Sequence, residues 1–106
     1  MKSIGHDEAM AELYRKDPEF ARQVINDILE DESADPGELL IVLRQMAKAF
    51  GGVQAVAEKA NLNSTQIYRT LSPDGNPALR SFSAILKAMG MRLSVQPMNT
   101  PASHAV

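Results

Sequence analysis

Within one short run, Ser64, Thr65, Gln66, Tyr68 and Arg69 bring together side chains that donate and accept hydrogen bonds. Such groups can engage base edges, and the arginine fork matches the paired acceptors of guanine. The stretch around them, VQAVAEKANLNSTQIYRTLS from Val53 to Ser72, has the residue spacing of a helix-turn-helix. Ala57 falls where two helices cross closely enough to require a small side chain. Asn61 falls at the sharp turn, where a residue tolerating positive φ is needed. Leu62 and Ile67 supply apolar contacts that lock the second helix to the first. Gln54 opens the first helix and Asn63 immediately precedes the second. On the second helix, Thr65 and Arg69 lie one turn apart opposite Ile67 with Ser64 beside them, and Gln66 and Tyr68 flank that face. The spacing predicts DNA contacts by Gln54, Asn63, Ser64, Thr65, Gln66, Tyr68 and Arg69. The bland alternative is a helical hairpin that only builds a core, with each polar residue a phosphate contact or a solvated side chain.

Other chemistry is poorly represented. The chain has no cysteine, which removes disulfides, thiolate metal sites and cysteine nucleophiles. His6 and His104 stand alone near opposite ends, without the spaced carboxylates of a metal or acid-base site. Neither a GxSxG elbow nor a P-loop is present. No enzyme, cofactor or metal is expected. Met46 and Met89 sit at core spacing, where packing is the simpler account.

The 106 residues carry a net charge of −2, which taken as an average argues against a nucleic-acid partner. The average conceals a division. Up to Glu38 there are eleven acidic and four basic residues, a balance of −7; from Leu39 onward there are seven basic and two acidic, a balance of +5. Two partners of opposite charge are implied. Asp27, Glu30 and Asp31, with Glu32, gather at a predicted helix end, where the dipole does not favour carboxylates. They are candidates for contact with a basic protein, against the bland reading of simple solubility. The N-terminus lacks a secretory h-region and no apolar run is long enough to span a bilayer, so a soluble cytoplasmic protein is expected.

Positioning these residues falls to a mostly helical chain of single-domain size. Residues 1–16 read as an N-terminal segment, loose through Gly5, with a short helix from His6 to Arg15 presenting Met10, Leu13 and Tyr14. Asp17-Pro18-Glu19 is a helix start, with a cap, a proline in the first turn and a carboxylate at the positive pole. Phe20, Val24 and Ile28 follow as an apolar stripe, with Ala21 and Ile25 beside them, to about Glu30. Asp35-Pro36-Gly37-Glu38 repeats the start in near capping-box form. Leu39, Val42, Leu43, Met46, Ala47 and Phe50 then define a core-facing helix that stops at Gly51-Gly52. After the helix-turn-helix, Ser72 to Pro77 reads as a turn with Asn76 as the next cap. Leu79, Phe82, Ile85, Leu86 and Met89 mark a last helix, ended by Gly90. Met91, Leu93 and Val95 alternate with polar residues, a strand period. Such a strand needs a partner edge, from the N-terminal region or a second subunit, and a homodimer is expected. The helix-turn-helix domain spans 17–96 and 97–106 form a flexible tail. The fold class is all-α, a five-helix repressor-like domain with an added C-terminal strand.

From about Asp17 to Gln96 the chain resembles the helix-turn-helix antitoxins called addiction-module antidote proteins, related to Xre-like repressors and HigA-type antitoxins. The resemblance is carried by Asp17-Pro18-Glu19, by LRQMAKAFG from Leu43 to Gly51, and by Ala57-Glu58, Ile67-Tyr68-Arg69 and Leu71-Ser72. Its most specific part is Gly75-Asn76-Pro77 followed by LKAMGMRLSV from Leu86 to Val95. Asn61 stands where the wider repressor class often has glycine. The resemblance implies a toxin-binding repressor of its own operon, bound to double-stranded operator DNA and encoded beside a small basic toxin of the RelE/ParE type. Two alternatives stay open: a phage-type or metabolic repressor without a toxin, and a helical protein-protein adaptor.

Overall fold

The computed structural model describes residues 2–72 and 75–98, excluding the side chains of residues 2–4. Six helices occupy it: α1 Lys2–Lys16, α2 Pro18–Glu30, α3 Pro36–Ala49, α4 Val53–Ala60, α5 Ser64–Thr70 and α6 Leu79–Ala88. The all-α class stands, with six helices rather than five. The additional one is α1, which begins at Lys2 instead of after a loose Gly5. It is held in place by Ala11 and Tyr14, both buried, and by a polar lock to α3 described below. Among the described residues there is no strand. Residues 91–98 carry the alternating pattern without regular structure, because one strand in a helical chain finds no second edge to complete its ladder. The region 99–106, read as a tail, lies outside the described residues, as do Met1, Pro73 and Asp74.

Local signals set the helix ends. Asp17 accepts a hydrogen bond from the Phe20 amide at 3.1 Å, with Pro18 in the first turn. Asp35 caps α3 by accepting from the Gly37 amide at 3.0 Å rather than from Glu38, so the capping box is not completed. Three helices close in the same way. Gly52 N–H reaches Ala47 O at 2.8 Å after α3, Leu62 N–H reaches Ala57 O at 2.9 Å after α4, and Met91 N–H reaches Leu86 O at 2.8 Å after α6. In each, the residue just before the donor has positive φ: Gly51, Asn61 and Gly90. These are Schellman closures, which satisfy carbonyls a helix end would otherwise leave open.

α3 is the central element. It buries Leu40, Val42, Leu43, Gln45, Met46, Ala47 and Ala49, more than one amphipathic stripe, because α1, α2 and α4 all pack on it. Leu39 and Phe50 are only partly buried. α4 carries α5 and α6 on its other sides. The fully buried side chains Tyr14, Leu43, Met46, Val56, Ile67, Leu71 and Ile85 run through both groups of helices as one core. On α2 the buried centre is Ala21 and Ile25. Phe20 lies at the rim, tilted against the Tyr14 ring with centroids 5.9 Å apart, and Val24 and Ile28 are partly buried. Leu13 faces outward.

α1 is fastened to α3 by a polar contact within this apolar setting. Asp7, 8% exposed, accepts from Gln45 Nε2 through Oδ1 and from Arg44 Nη2 through Oδ2, both at 3.0 Å. Lys48 adds charge nearby and stands 3.6 Å from Glu8. Burial pushes the Asp7 carboxyl up. The Gln45 hydrogen bond and the charges of Arg44 and Lys48 outweigh it, leaving the pKa below the usual carboxylate value. The folded pKa is therefore depressed below an unfolded value of about 3.9. The stabilisation is complete above that value and is lost as pH falls through the folded pKa. Asp7→Ala should cost about 1 to 3 kcal/mol at neutral pH, since it strands the buried Gln45 amide. Urea denaturation between neutral and acid pH should show stability falling less steeply for Asp7→Asn than for the natural chain. Parallel pH profiles would mean that the lock is not ionic.

Candidate nucleic-acid interface

The α4–α5 unit depends on its turn. Asn61 adopts φ 60° and ψ 40°, left-handed, and donates through its amide to Glu58 O at 3.1 Å while Leu62 N–H takes Ala57 O. Asparagine tolerates this backbone better than other residues with a side chain. Ala57 is 2% exposed, so its methyl is what the close approach of the helices admits. Asn63 then returns to extended backbone and accepts from the Gln66 amide through Oδ1 at 2.7 Å, capping α5. Ile67 and Leu71 anchor α5 in the core, with Leu62 packed beside them.

With Ile67 fixed inward, Thr65, Gln66, Tyr68 and Arg69 are exposed and Ser64 and Thr70 are half-buried. Asn63, Thr65, Gln66, Arg69 and Thr70 line one shallow hollow. The pairs Thr65–Arg69 and Gln66–Thr70 each span one helical turn, which places them on a shared face. Of the residues expected from the sequence, Thr65, Gln66, Arg69 and Asn63 are brought together. Ser64 and Tyr68 do not line the hollow; Tyr68 is 53% exposed beside it. Thr70 was missed, although the turn from Gln66 was sufficient to find it. The Asn63 carbonyl is committed to its cap, so its amide nitrogen is the group left to meet a ligand. Gln54 is exposed in the first turn of α4, whose cap Gly52 supplies no side-chain bond. The early amides of that helix therefore lack a side-chain partner.

The segment after α5 is fixed by close approach. A side chain on Gly75 would run into the carbonyl oxygens of Thr70 and Arg69, so only glycine lets the chain pass there. Ser72 Oγ donates to Arg69 O at 2.9 Å, tying the end of α5 to the same segment. Asn76 does not cap α6. The chain stays non-helical through Ala78, which holds the cap position without a side-chain bond. Pro77 drives Asn76 toward extended backbone, and the extra length carries the chain from α5 to the place where α6 packs on α4.

Of the acidic candidates, Asp27 alone lines a cavity, the groove between α1, α2 and α3. Glu30 ends α2, and Asp31, its C-cap, accepts from Ser33 Oγ at 2.7 Å and Ser33 N–H at 2.9 Å. Those two bonds hold the Asp31 carboxyl below its ordinary pKa. Among the described residues no group of histidine and carboxylate side chains could hold a metal ion, and no single helix is long and apolar enough to cross a membrane.

Residues 7–97 match the family model described as probable addiction module antidote protein, and the chain belongs to that family. The match begins within α1, ahead of the resemblance seen from Asp17. No curated protein and no solved structure matches the chain.

Asn61 tests whether the turn geometry carries this interface. Asn61→Val should lower stability by about 1 to 2 kcal/mol through left-handed strain, whereas Asn61→Gly should be tolerated. Thermal unfolding followed by circular dichroism distinguishes them, and equal melting of both variants would remove the turn from this role.

Proposed function

We propose that this antidote-family chain is an antitoxin that binds operator DNA through α5, represses its own operon and neutralises a small basic toxin of the RelE/ParE type. The observation that carries the DNA reading is the polar hollow of Asn63, Thr65, Gln66, Arg69 and Thr70 on the side of α5 away from buried Ile67. A helix anchored on one side and hydrogen-bonding on the other is the form that enters a major groove. Arg69 would grip guanine or a phosphate. Thr65 and Gln66 would meet base edges, and Tyr68 and Ser64 would support from the flanks. Gln54, at the open start of α4, and the Asn63 amide nitrogen would anchor the backbone. The net +5 from Leu39 onward favours approach to DNA, and the net −7 before it suits a basic protein, with Asp27, Glu30 and Asp31 on that side.

Operator reading by a domain of this size gains specificity from two half-sites, and the proposal includes a homodimer. Residues 92–96 have no regular structure and, among the described residues, make no hydrogen bond to another part of the main chain. Val95 is 97% exposed, while Met91 and Leu93 of the same alternation pack against the core. A second copy of this segment would supply the missing ladder.

Arg69→Ala should cost about 1 to 3 kcal/mol and relax sequence preference if Arg69 makes a bidentate guanine contact. A phosphate contact would weaken all duplexes alike and reduce the salt slope by about one. Binding of Arg69→Ala and Thr65→Ala to operator and scrambled duplex at two salt concentrations is the measurement. Natural affinity and selectivity in both variants would refute the reading face. Half-sites should lie roughly 34 Å apart on one side of the duplex.

The dimer has its own test. Val95→Pro removes a ladder donor at a fully solvated position, so the monomer fold should be kept while pairing is lost. Sedimentation should show a dimer for the natural chain and a shift to monomer for the variant. A natural chain that sediments as a monomer with and without DNA would rule the dimer out.

A further inference from the structure

The groove between α1, α2 and α3 has a composition that the DNA reading does not use. Its walls are Met10, Val24, Ile28 and Ile41, all partly exposed, and Tyr14, Val42 and Gln45 lie deeper. The volume is about 420 Å³. Asp27 and Glu38 line it as exposed carboxylates, one from α2 and one from the first turn of α3, with His6 of α1 also at the rim.

The deeper polar side chains are accounted for within the fold. Tyr14 and Gln45 are 1% and 3% exposed. The Gln45 amide nitrogen is taken by Asp7, and among the described residues no buried side-chain polar atom lacks a partner, so the floor of the groove is satisfied. What the groove leaves open to a partner is therefore its apolar wall and the carboxylates at its rim.

We infer that this groove is the seat of a cationic amphipathic helix presented by the toxin, an inference that rests on the antitoxin reading above. An amphipathic helix lays apolar side chains, spaced three and four apart, into an apolar groove. Met10, Val24, Ile28 and Ile41 offer that surface. Lysine or arginine on the flank of the same helix meets Asp27 and Glu38, and the surplus of acidic residues before Leu39 repels an anionic competitor. The proposal separates Asp27 from Glu30 and Asp31. The latter two lie outside the groove and act only by long-range attraction.

The test uses the full-length chain and, as probe, the purified product of the open reading frame adjacent to its gene. Binding is followed by surface plasmon resonance at low and high salt. Asp27→Lys with Glu38→Lys should slow association at least tenfold at low salt and also speed dissociation. Ile28→Glu should speed dissociation at both salt concentrations. Glu30→Lys with Asp31→Lys should slow association without changing dissociation. Circular dichroism and operator binding of each variant confirm that the fold is kept; if Ile28→Glu unfolds, the exposed Asp27 and Glu38 reversals decide. Dissociation unchanged in the Asp27 and Glu38 variant, or equally faster on reversing Glu30 and Asp31, overturns the groove while leaving the antitoxin reading in place. An adjacent product that does not bind the natural chain overturns that reading, and the groove with it.

Discussion

The hydrogen bond from the Leu62 amide to the Ala57 carbonyl, made possible by left-handed Asn61, sets the direction of α5, and the α4–α5 unit depends on it. A helix end has carbonyls to satisfy, and a Schellman closure satisfies them while turning the chain sharply. Because the turn is short, Ala57 must be small and Leu62 must pack inward beside Ile67. The Asn63 cap then restarts the helix at once. Few degrees of freedom remain between α4 and α5. The outward face of α5 is therefore placed by backbone chemistry as much as by its own side chains.

Much of this was legible because its signals are local. The caps at Asp17 and Asp35, the prolines that follow them, and the stops at Gly51 and Gly90 depend on residues close in sequence. Asn61 and Ala57 could be placed because a turn of fixed length allows few residue types at fixed positions. The less legible features depend on distant parts of the chain. Phe20 and Leu13 look like core by spacing but end at the rim, because the angle at which α1 and α2 meet α3 decides which stripe is covered. α1 was underestimated because its anchor is a carboxylate, Asp7, whose partners Arg44 and Gln45 lie far along the sequence. Asn76 had the sequence of a cap. Close packing of Gly75 on the end of α5, followed by the non-helical Asn76-Pro77 pair, sets where α6 begins.

On α5, the anchored side is more legible than the exposed one. Ile67 follows from periodicity, and Arg69 and Thr65 follow as its opposite face. Thr70 is less legible because it is small, uncharged and last in the helix, although Gln66 sits one turn before it. On the acidic side, counting charge marks a half of the chain and not a groove, since Glu38 and Asp27 come to line one cavity only after α2 and α3 pack together.

The two candidate surfaces differ in how tightly they are coupled to folding. On α5, the core needs only Ile67 and Leu71, so Thr65, Gln66, Arg69 and Thr70 can change without removing apolar burial. Substitution on that face therefore costs little in stability. In the α1–α2–α3 groove, Met10, Val24, Ile28 and Ile41 are partly exposed, and the first three also pack against the core. A change that reshapes the groove there also alters burial that stabilises the fold, at roughly 25 cal/mol per Å² of apolar surface. Asp7 strengthens the coupling, because the helix it pins carries one wall of the groove. A partner docked on that side would meet a surface whose shape is constrained by stability, and rim charges such as Asp27 and Glu38 would be the positions left free to tune its recognition.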